Sequence, residues 1–329
     1  MPPLSAPEFW TRGGLAAHLL RPLALGHWAA GAARRALARP FHAPVPVVCV
    51  GNVVAGGAGK TPVVMSLAQM AAARGLNPHV LSRGYGGRIS GPIAVDPARH
   101  DARAVGDEPL LLACVAPTWI ARDRVAGARE AAAAGAGIII LDDGFQNPDL
   151  AKDRSLLVVD GGYGFGNGRV IPAGPLREPV AAALARADAV VLLGEDEAQV
   201  LPQLGATPVL RASLVPLGGT ELRGATVIAF AGIGRPEKFF RTLEALGAKL
   251  AACHAFADHH FWREDELERL GAEAERLAAR LVTTEKDWVR LPPAWRGRIA
   301  ALKVAIRWQD EAAAAALFDG LTRPEARNG

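Results

Sequence analysis

Val47–Pro62 reads VVCVGNVVAGGAGKTP, and the rest of the chain is organised around it. A short apolar run through Val45, Val47, Val48, Cys49 and Val50 has the length of a strand and breaks into a loop carrying Gly56, Gly57 and Gly59. Lys60 and Thr61 follow, then a stretch from Pro62 to Arg74 with helical composition. Strand, glycine loop and helix in that order form the setting of a phosphate-binding loop, in which backbone N–H groups close on an anion. Gly56–Pro62 is the candidate nucleotide site: Gly56, Gly57, Ala58, Gly59, Lys60, Thr61 and Pro62. Lys60 would reach the β- and γ-phosphates, and the Thr61 hydroxyl would bind Mg²⁺. The strict pattern asks for glycine where Val54 stands, so the loop is a GGxGKT variant, and an ordinary glycine-rich βα turn has the same local composition.

The 329 residues leave room for two domains, and a 50% hydrophobic composition supplies a large core. Ala-rich stretches alternate with Val/Ile/Leu runs, which predicts an α/β fold. A dispersed net charge of +4 argues against nucleic acid as a partner. Three scattered cysteines (Cys49, Cys114, Cys253) fit neither a disulfide framework nor a zinc site and suit a reducing compartment.

Residues 1–40 carry no secretory signal and no run able to span a bilayer. Phe9, Trp10, Leu15, Leu19, Leu20, Leu23 and Trp28 interleave there with Arg12, Arg21, Arg34, Arg35 and Arg39. Two readings fit: an amphipathic helix lying in a membrane interface, or a helix packed on its own domain. Beyond the loop, Pro78–Arg83 is a strand ending in Ser82-Arg83-Gly84-Tyr85-Gly86-Gly87, at the sheet edge where ligands bind. Gly106-Asp107-Glu108-Pro109 opens a helix, and acids at a helix start also serve its dipole. Gly137–Gln146, GIIILDDGFQ, is a buried strand with Asp142 and Asp143 at its carboxyl end, the pattern of a Walker B element or of a turn. Successive strand residues face opposite ways, so the two aspartates have different jobs unless the strand has ended. In the loop Gly161–Pro179, Arg177 is a candidate for neutralising phosphate charge. A second βα pattern follows Leu214, with strands at Thr226–Ala231, Leu250–Phe256 and Val304–Trp308 and helices at Arg235–Leu246 and Glu264–Arg280. Its notable stretches are Phe256–His260, FADHH, and Thr283–Asp287, TTEKD. No third ligand completes a zinc site beside His259 and His260.

Together these stretches resemble one family, the tetraacyldisaccharide 4'-kinases of lipid A biosynthesis. The resemblance runs in order through GNVVAGGAGKTP (Gly51–Pro62), SRGYGG (Ser82–Gly87), GDEP (Gly106–Pro109), LDDGFQ (Leu141–Gln146), IPAGPLREP (Ile171–Pro179), FADHH and TTEKD. It implies an ATP-dependent lipid kinase that phosphorylates the 4'-hydroxyl of tetraacyldisaccharide 1-phosphate to give lipid IV-A. It further implies ATP and Mg²⁺ as cofactors, and work at the cytoplasmic face of the bacterial inner membrane with the N-terminal helix on the bilayer. Asp107 matches the catalytic base and His259 its partner, with His260 the alternative by spacing. Lys60 and Thr61 match the P-loop pair. Asp142 and Asp143 match the Walker B acids, and Glu108 and Gln146 fall at positions associated with the metal. Arg83, Tyr85, Arg177 and Glu178 are candidate substrate contacts.

The expected architecture is a P-loop NTPase-like parallel sheet flanked by helices, with a second, smaller α/β domain. Its divisions are an N-terminal membrane-interface segment (1–40), a kinase domain (41–215) and a C-terminal domain (216–329). The expected partners are the lipid substrate and a membrane surface, with no obligate protein partner. Two rivals stand beside this reading. A deviant-Walker ATPase would carry a signature lysine where this chain has Ala55. A membrane-bound nucleotide switch would leave Asp107 and His259 without a purpose.

Overall fold

The computed structural model describes residues 7–321. Every residue of Val47–Gly51 is buried, the state of a strand covered on both faces. It is β1 of a twelve-stranded sheet. From one edge the sheet runs β10 (Lys249–Ala255), β9 (Thr226–Ala231), β11 (Arg280–Thr284), β12 (Ile299–Trp308), β8 (Val209–Leu217) and β7 (Ala189–Leu193). It continues through β6 (Arg154–Asp160), β1, β5 (Ile138–Asp142), β2 (Pro78–Ser82), β4 (Thr118–Ile120) and β3 (Ile93–Ala94). Neighbours are parallel except at β12–β8 and β3–β4.

The strand period of two sorts the side chains of β1 into two layers. Val48 and Val50 pack on one face with Val63, Val64 and Leu67 of helix Lys60–Ala73. Val47 and Cys49 pack on the other with Ala128 and Ala131 of helix Arg124–Ala133. Full burial of such aliphatic side chains stabilises by roughly 1.5–3 kcal/mol each, so the sheet is held from both sides. In chain order the helices are α1 (Phe9–Arg12), α2 (Leu15–Leu19), α3 (Arg21–Leu37), α4 (Lys60–Ala73), α5 (Ala102–Val105), α6 (Asp107–Ala113) and α7 (Arg124–Ala133). Then come α8 (Val180–Leu184), α9 (Pro236–Ala245), α10 (Glu264–Arg276), α11 (Glu285–Trp288), α12 (Pro293–Arg296) and α13 (Glu311–Ala315).

Several elements differ from expectation, each for a local reason. Helix α4 begins at Lys60 and takes Pro62 into its first turn, where a missing N–H costs nothing because no intrahelical acceptor exists for it. Helix α10 stops at Arg276 because Ala278 turns to φ +48° and Arg280 opens β11. Strand β8 escaped the sequence reading because VLRASLVPL mixes Arg211, Ser213 and Pro216 into its apolar run. The expected boundary at 215/216 falls inside it. The N-terminal segment is three consecutive helices, and residues 1–6 of the expected segment lie outside the described residues.

The second half has its own two layers, with Leu267 and Leu270 of α10 on one face and Phe239 and Leu243 of α9 on the other. It is nonetheless joined to the first half by one strand. Residues Ile299–Leu302 of β12 pair with β11, and Lys303–Trp308 pair with β8. The chain then returns to the first half: Trp308 Nε1 donates to Ser66 Oγ at 2.9 Å, and Phe318 and Leu321 join the core beneath α4.

Candidate active site

The carboxyl ends of β1, β2 and β5 open on the same edge of the sheet, and the loops leaving them form one side of the site. The glycine loop between β1 and α4 turns into its helix at Gly59, with φ +79° and a Cβ position only 2.7 Å from Leu193 Cδ1. The positive φ calls for glycine there. The stretch entering the loop is braced by the Ile171–Pro179 segment: Ala55 N donates to Pro175 O at 2.7 Å and Arg177 N to Val53 O at 2.7 Å. Lys60 begins α4, and its ammonium donates to Asn52 Oδ1 at 3.1 Å and lies 3.6 Å from Asp143 Oδ1. Thr61 sits beside it in the first helical turn, half-buried.

Strand β5 ends at Asp142, and Asp143 lies past it with φ +50°, so the two acids diverge. Asp142 is buried and accepts from Ser82 Oγ at 2.9 Å. Burial, then the charge of Asp143, pushes its carboxyl above the usual range. Asp143 is clasped by both Arg177 nitrogens at 2.9 and 3.2 Å. Burial opposes its charge, yet Lys60 and Arg177 hold it below the ordinary range. Gln146 Nε2 donates to Asn52 O at 3.0 Å and its Oε1 accepts from Arg177 at 3.3 Å, so it sits behind the lysine. Glu178 is wholly buried and holds Arg186 at 2.8 and 2.9 Å, with Arg35 at 3.6 Å. That carboxylate supports the loop from beneath and faces the N-terminal helices rather than open solvent.

The opposite side comes from GDEP and the second half. Gly106, with φ +93°, precedes α6, and a Cβ there would lie 2.5 Å from Tyr85 O. The SRGYGG turn therefore packs directly on the start of α6. Asp107 is buried; its Oδ1 accepts from Glu108 N at 3.0 Å and its Oδ2 faces His259 Nδ1 at 3.0 Å. Desolvation alone would raise its pKa, but His259, the Glu108 side chain and Lys286 bring it below the ordinary range. Glu108 shifts the other way, raised by burial and by Asp107. His260 is engaged elsewhere, 2.8 Å from Glu266, so His259 is the imidazole beside Asp107. The Tyr85 ring, 70% exposed, stands 5.7 Å from that of His259. Arg83 is exposed on the same turn.

Four further residues belong to this neighbourhood without having been singled out in sequence. Asn52 anchors Lys60. Ser82 holds Asp142. Lys286 Nζ lies 2.8 Å from Glu108 Oε1 and 3.3 Å from His259 Nε2. Arg290, 1% exposed, lies 3.6 Å from Asp107 and donates to Asp287, Gly232 O and His260 O. Asn52, Ser82 and Lys286 stand inside the motif stretches, but no local pattern distinguishes a ligand from its support.

A largely parallel sheet presenting a lysine-tipped glycine loop, paired aspartates and an acid–imidazole pair at one edge is an arrangement suited to phosphoryl transfer. Comparison with known proteins narrows the class. The family model described as Tetraacyldisaccharide-1-P 4'-kinase matches residues 16–322, and the chain belongs to that family. A tetraacyldisaccharide 4'-kinase of Rhodospirillum centenum is 60% identical over 93% of this chain and 94% of its own. One of Dinoroseobacter shibae is 53% identical over 96% and 97%. A crystal structure of LpxK from Aquifex aeolicus in complex with ATP superposes with a TM-score of 0.77 at 27% identity, over 94% of this chain and all of that one.

Proposed function

We propose that this chain transfers the γ-phosphate of ATP to the 4'-hydroxyl of tetraacyldisaccharide 1-phosphate, forming lipid IV-A. The observation that carries the reading is the meeting of Asp107 and His259 at 3.0 Å, from opposite halves of the molecule, on the edge that holds Lys60. An NTP-binding switch has no use for that pair; a kinase needs a base for the attacking hydroxyl.

Phosphoryl transfer passes through a loose transition state, so positioning and charge neutralisation carry the catalysis. The loop from Gly56 to Pro62 would cradle the phosphates on its N–H groups, with Lys60 released from Asn52 and Asp143 onto the β- and γ-oxygens. Arg177, 2.9 Å from Asp143, would add charge at the same point. Asp107, its carboxylate kept ionised, would accept the sugar hydroxyl's proton, and His259 would orient it. Arg83 and Tyr85, exposed on the adjoining turn, are the proposed acceptor contacts. Glu178 is assigned to the support of Gln146 and Arg186.

Mg²⁺ suits the oxygen donors that stand along this edge. Asp142 ends β5, Asp143 follows it beside Arg177, and Thr61 follows Lys60 in the first turn of α4; hard cations take such ligands. Asp107, Glu108 and His259 also present ligand atoms within 4.8 Å of one another. The ion, when bound, would supply charge neutralisation to the phosphoryl group in transfer.

The N-terminal helices support adsorption to the cytoplasmic face of the inner membrane. Leu15, Leu19, Leu23, Leu25 and Leu37 are each 63–83% exposed, far above what a helix packed on its own domain leaves open. Arginines 21, 34 and 39 are exposed on the same segment, the composition of an interfacial helix. Among the described residues no helix is long and apolar enough to cross a membrane.

The test is incubation of detergent-solubilised enzyme with γ-labelled ATP, Mg²⁺ and tetraacyldisaccharide 1-phosphate, with Lys60→Ala and Asp107→Ala alongside. Label in the lipid, lost in both variants, is the expected result. ATP consumed with no labelled lipid would overturn the kinase reading. Flotation with anionic vesicles tests the membrane face: Leu19→Ser/Leu23→Ser is expected to lower binding at least about tenfold, since each exposed leucine withdrawn from lipid forfeits roughly 1.5–3 kcal/mol.

A further inference from the structure

The TTEKD stretch contains a cation that the mechanism above leaves without a task. Thr284 caps α11, accepting from Asp287 N at 3.1 Å and donating its hydroxyl to Asp287 Oδ2 at 2.6 Å. Asp287 is itself fully buried between Gly232 N and Arg290. This four-residue helix is therefore pinned at both ends, and it aims Lys286 across the interface at α6. The ammonium stands 2.8 Å from Glu108 Oε1, 3.3 Å from His259 Nε2, 3.8 Å from Asp258 Oδ1 and 3.9 Å from Asp107 Oδ2.

Resting on the reading that Asp107 and His259 act together, we infer that Lys286 is a positioning residue for the transfer. Its ammonium fixes the tautomer and the orientation of the His259 ring. An ammonium carries three donors and no lone pair, so the imidazole nitrogen facing it must accept. The ring proton then resides on Nδ1, which donates to Asp107 Oδ2 at 3.0 Å. In the other tautomer a lone pair on Nδ1 would face a carboxylate oxygen, and an Nε2–H would face the ammonium. Without Lys286, Nε2 looks toward two carboxylates, Glu108 at 4.0 Å and Asp258 at 3.9 Å, both of which favour a proton there. Lys286 reverses that preference. Because it belongs to the second half and Glu108 to the first, it does so only with the halves in register.

The experiment uses the full chain, labelled with ¹⁵N-histidine, at one fixed alkaline pH where the ring is neutral, because against burial the Asp107 hydrogen bond raises the His259 pKa above the ordinary imidazole range. The ring resonances of His259 are assigned by their loss in His259→Gln. The wild type is expected to show a protonated Nδ1 and a bare Nε2. Lys286→Met is expected to lose that pattern and to lower kcat about 10- to 100-fold, with the KM for ATP changed less than about twofold. Lys286→Arg keeps a charged donor and guards against a fold lost with the ammonium. It is expected to keep the tautomer and regain most of kcat. A wild-type ring protonated on Nε2 would overturn the inference, and so would a Lys286→Met enzyme with unchanged ring signals and kcat. A wild type with the expected ring signals but no labelled lipid would support the Lys286 geometry and overturn the kinase reading instead.

Discussion

Single residues decide the chemistry here through who their neighbours are. Asp107 and Glu108 are adjacent, yet one carboxyl is lowered by His259, the Glu108 side chain and Lys286, while the other is raised by burial and by Asp107 itself. Two acids with opposite shifts in one cleft have different roles. His259→Ala removes the imidazole from Asp107 and leaves the apolar layers untouched; kcat should fall about 10²-fold while the thermal midpoint stays within a few degrees, checked by turnover and calorimetry. Gly106→Ala is a change of another kind. It sets a Cβ 2.5 Å from Tyr85 O at a φ of +93°, so it should cost about 2–4 kcal/mol in denaturant unfolding and displace the start of α6. Much of the residue scale was legible. Lys60 stands in a stretch whose chemistry can be read locally, whereas the roles expected of Asp107 and His259 came from the family resemblance. Glu178 and Lys286 could not be read that way, because their partners Arg186, Arg35 and Glu108 come from elsewhere in the chain.

Elements carry the stability on which that chemistry rests. Leu67 of α4 is fully buried in the layer that holds the lysine loop against the sheet. Leu67→Ala should cost about 2–5 kcal/mol in equilibrium unfolding and weaken nucleotide affinity, because α4 carries Lys60 at its first position. A second link joins the end of β6 to α9: Asp160 accepts from Lys238 at 2.8 and 3.0 Å and also from Arg235. Burial opposes the Asp160 charge, but the two cations hold its carboxyl below the usual range. A carboxyl lowered in the folded state contributes stability above its unfolded pKa of about 3.9 and loses it as pH falls through the folded value. Lys238 is about half exposed, so the contribution is screened to about 1 kcal/mol. Asp160→Asn should therefore unfold more easily than wild type at pH 7, and the difference should close as the pH falls below the ordinary carboxylate range. A gap that persists unchanged in acid would assign the effect to packing. Hydrophobic periodicity marked most of these elements, since buried strands and amphipathic helices are local patterns. It missed β8, whose partner β12 lies about ninety positions along the chain.

At the scale of the molecule, the sheet is continuous and its two halves share β12. An apolar cluster closes the seam beside the site, where Phe261 and Val289 of the second half pack against Val105 and Leu110 of the first. The tail then crosses back to seal α4 with Phe318 and Leu321. Deleting residues 310–329 should consequently lower the unfolding midpoint of the first half and of nucleotide binding together, although every proposed ligand residue remains; scanning calorimetry with and without ATP checks this. Sequence alone determined the alternation of strand and helix, the glycine loop and the candidate acids, because each depends on residues a few positions apart. Tertiary structure decided which aspartate faces which cation, that His259 and not His260 meets Asp107, and that the second half is tied into the first by one strand and a returning tail. Those are contacts between residues up to about 240 positions apart. Their energies arise from burial and charge pairing across the fold, and no local pattern in the chain encodes them.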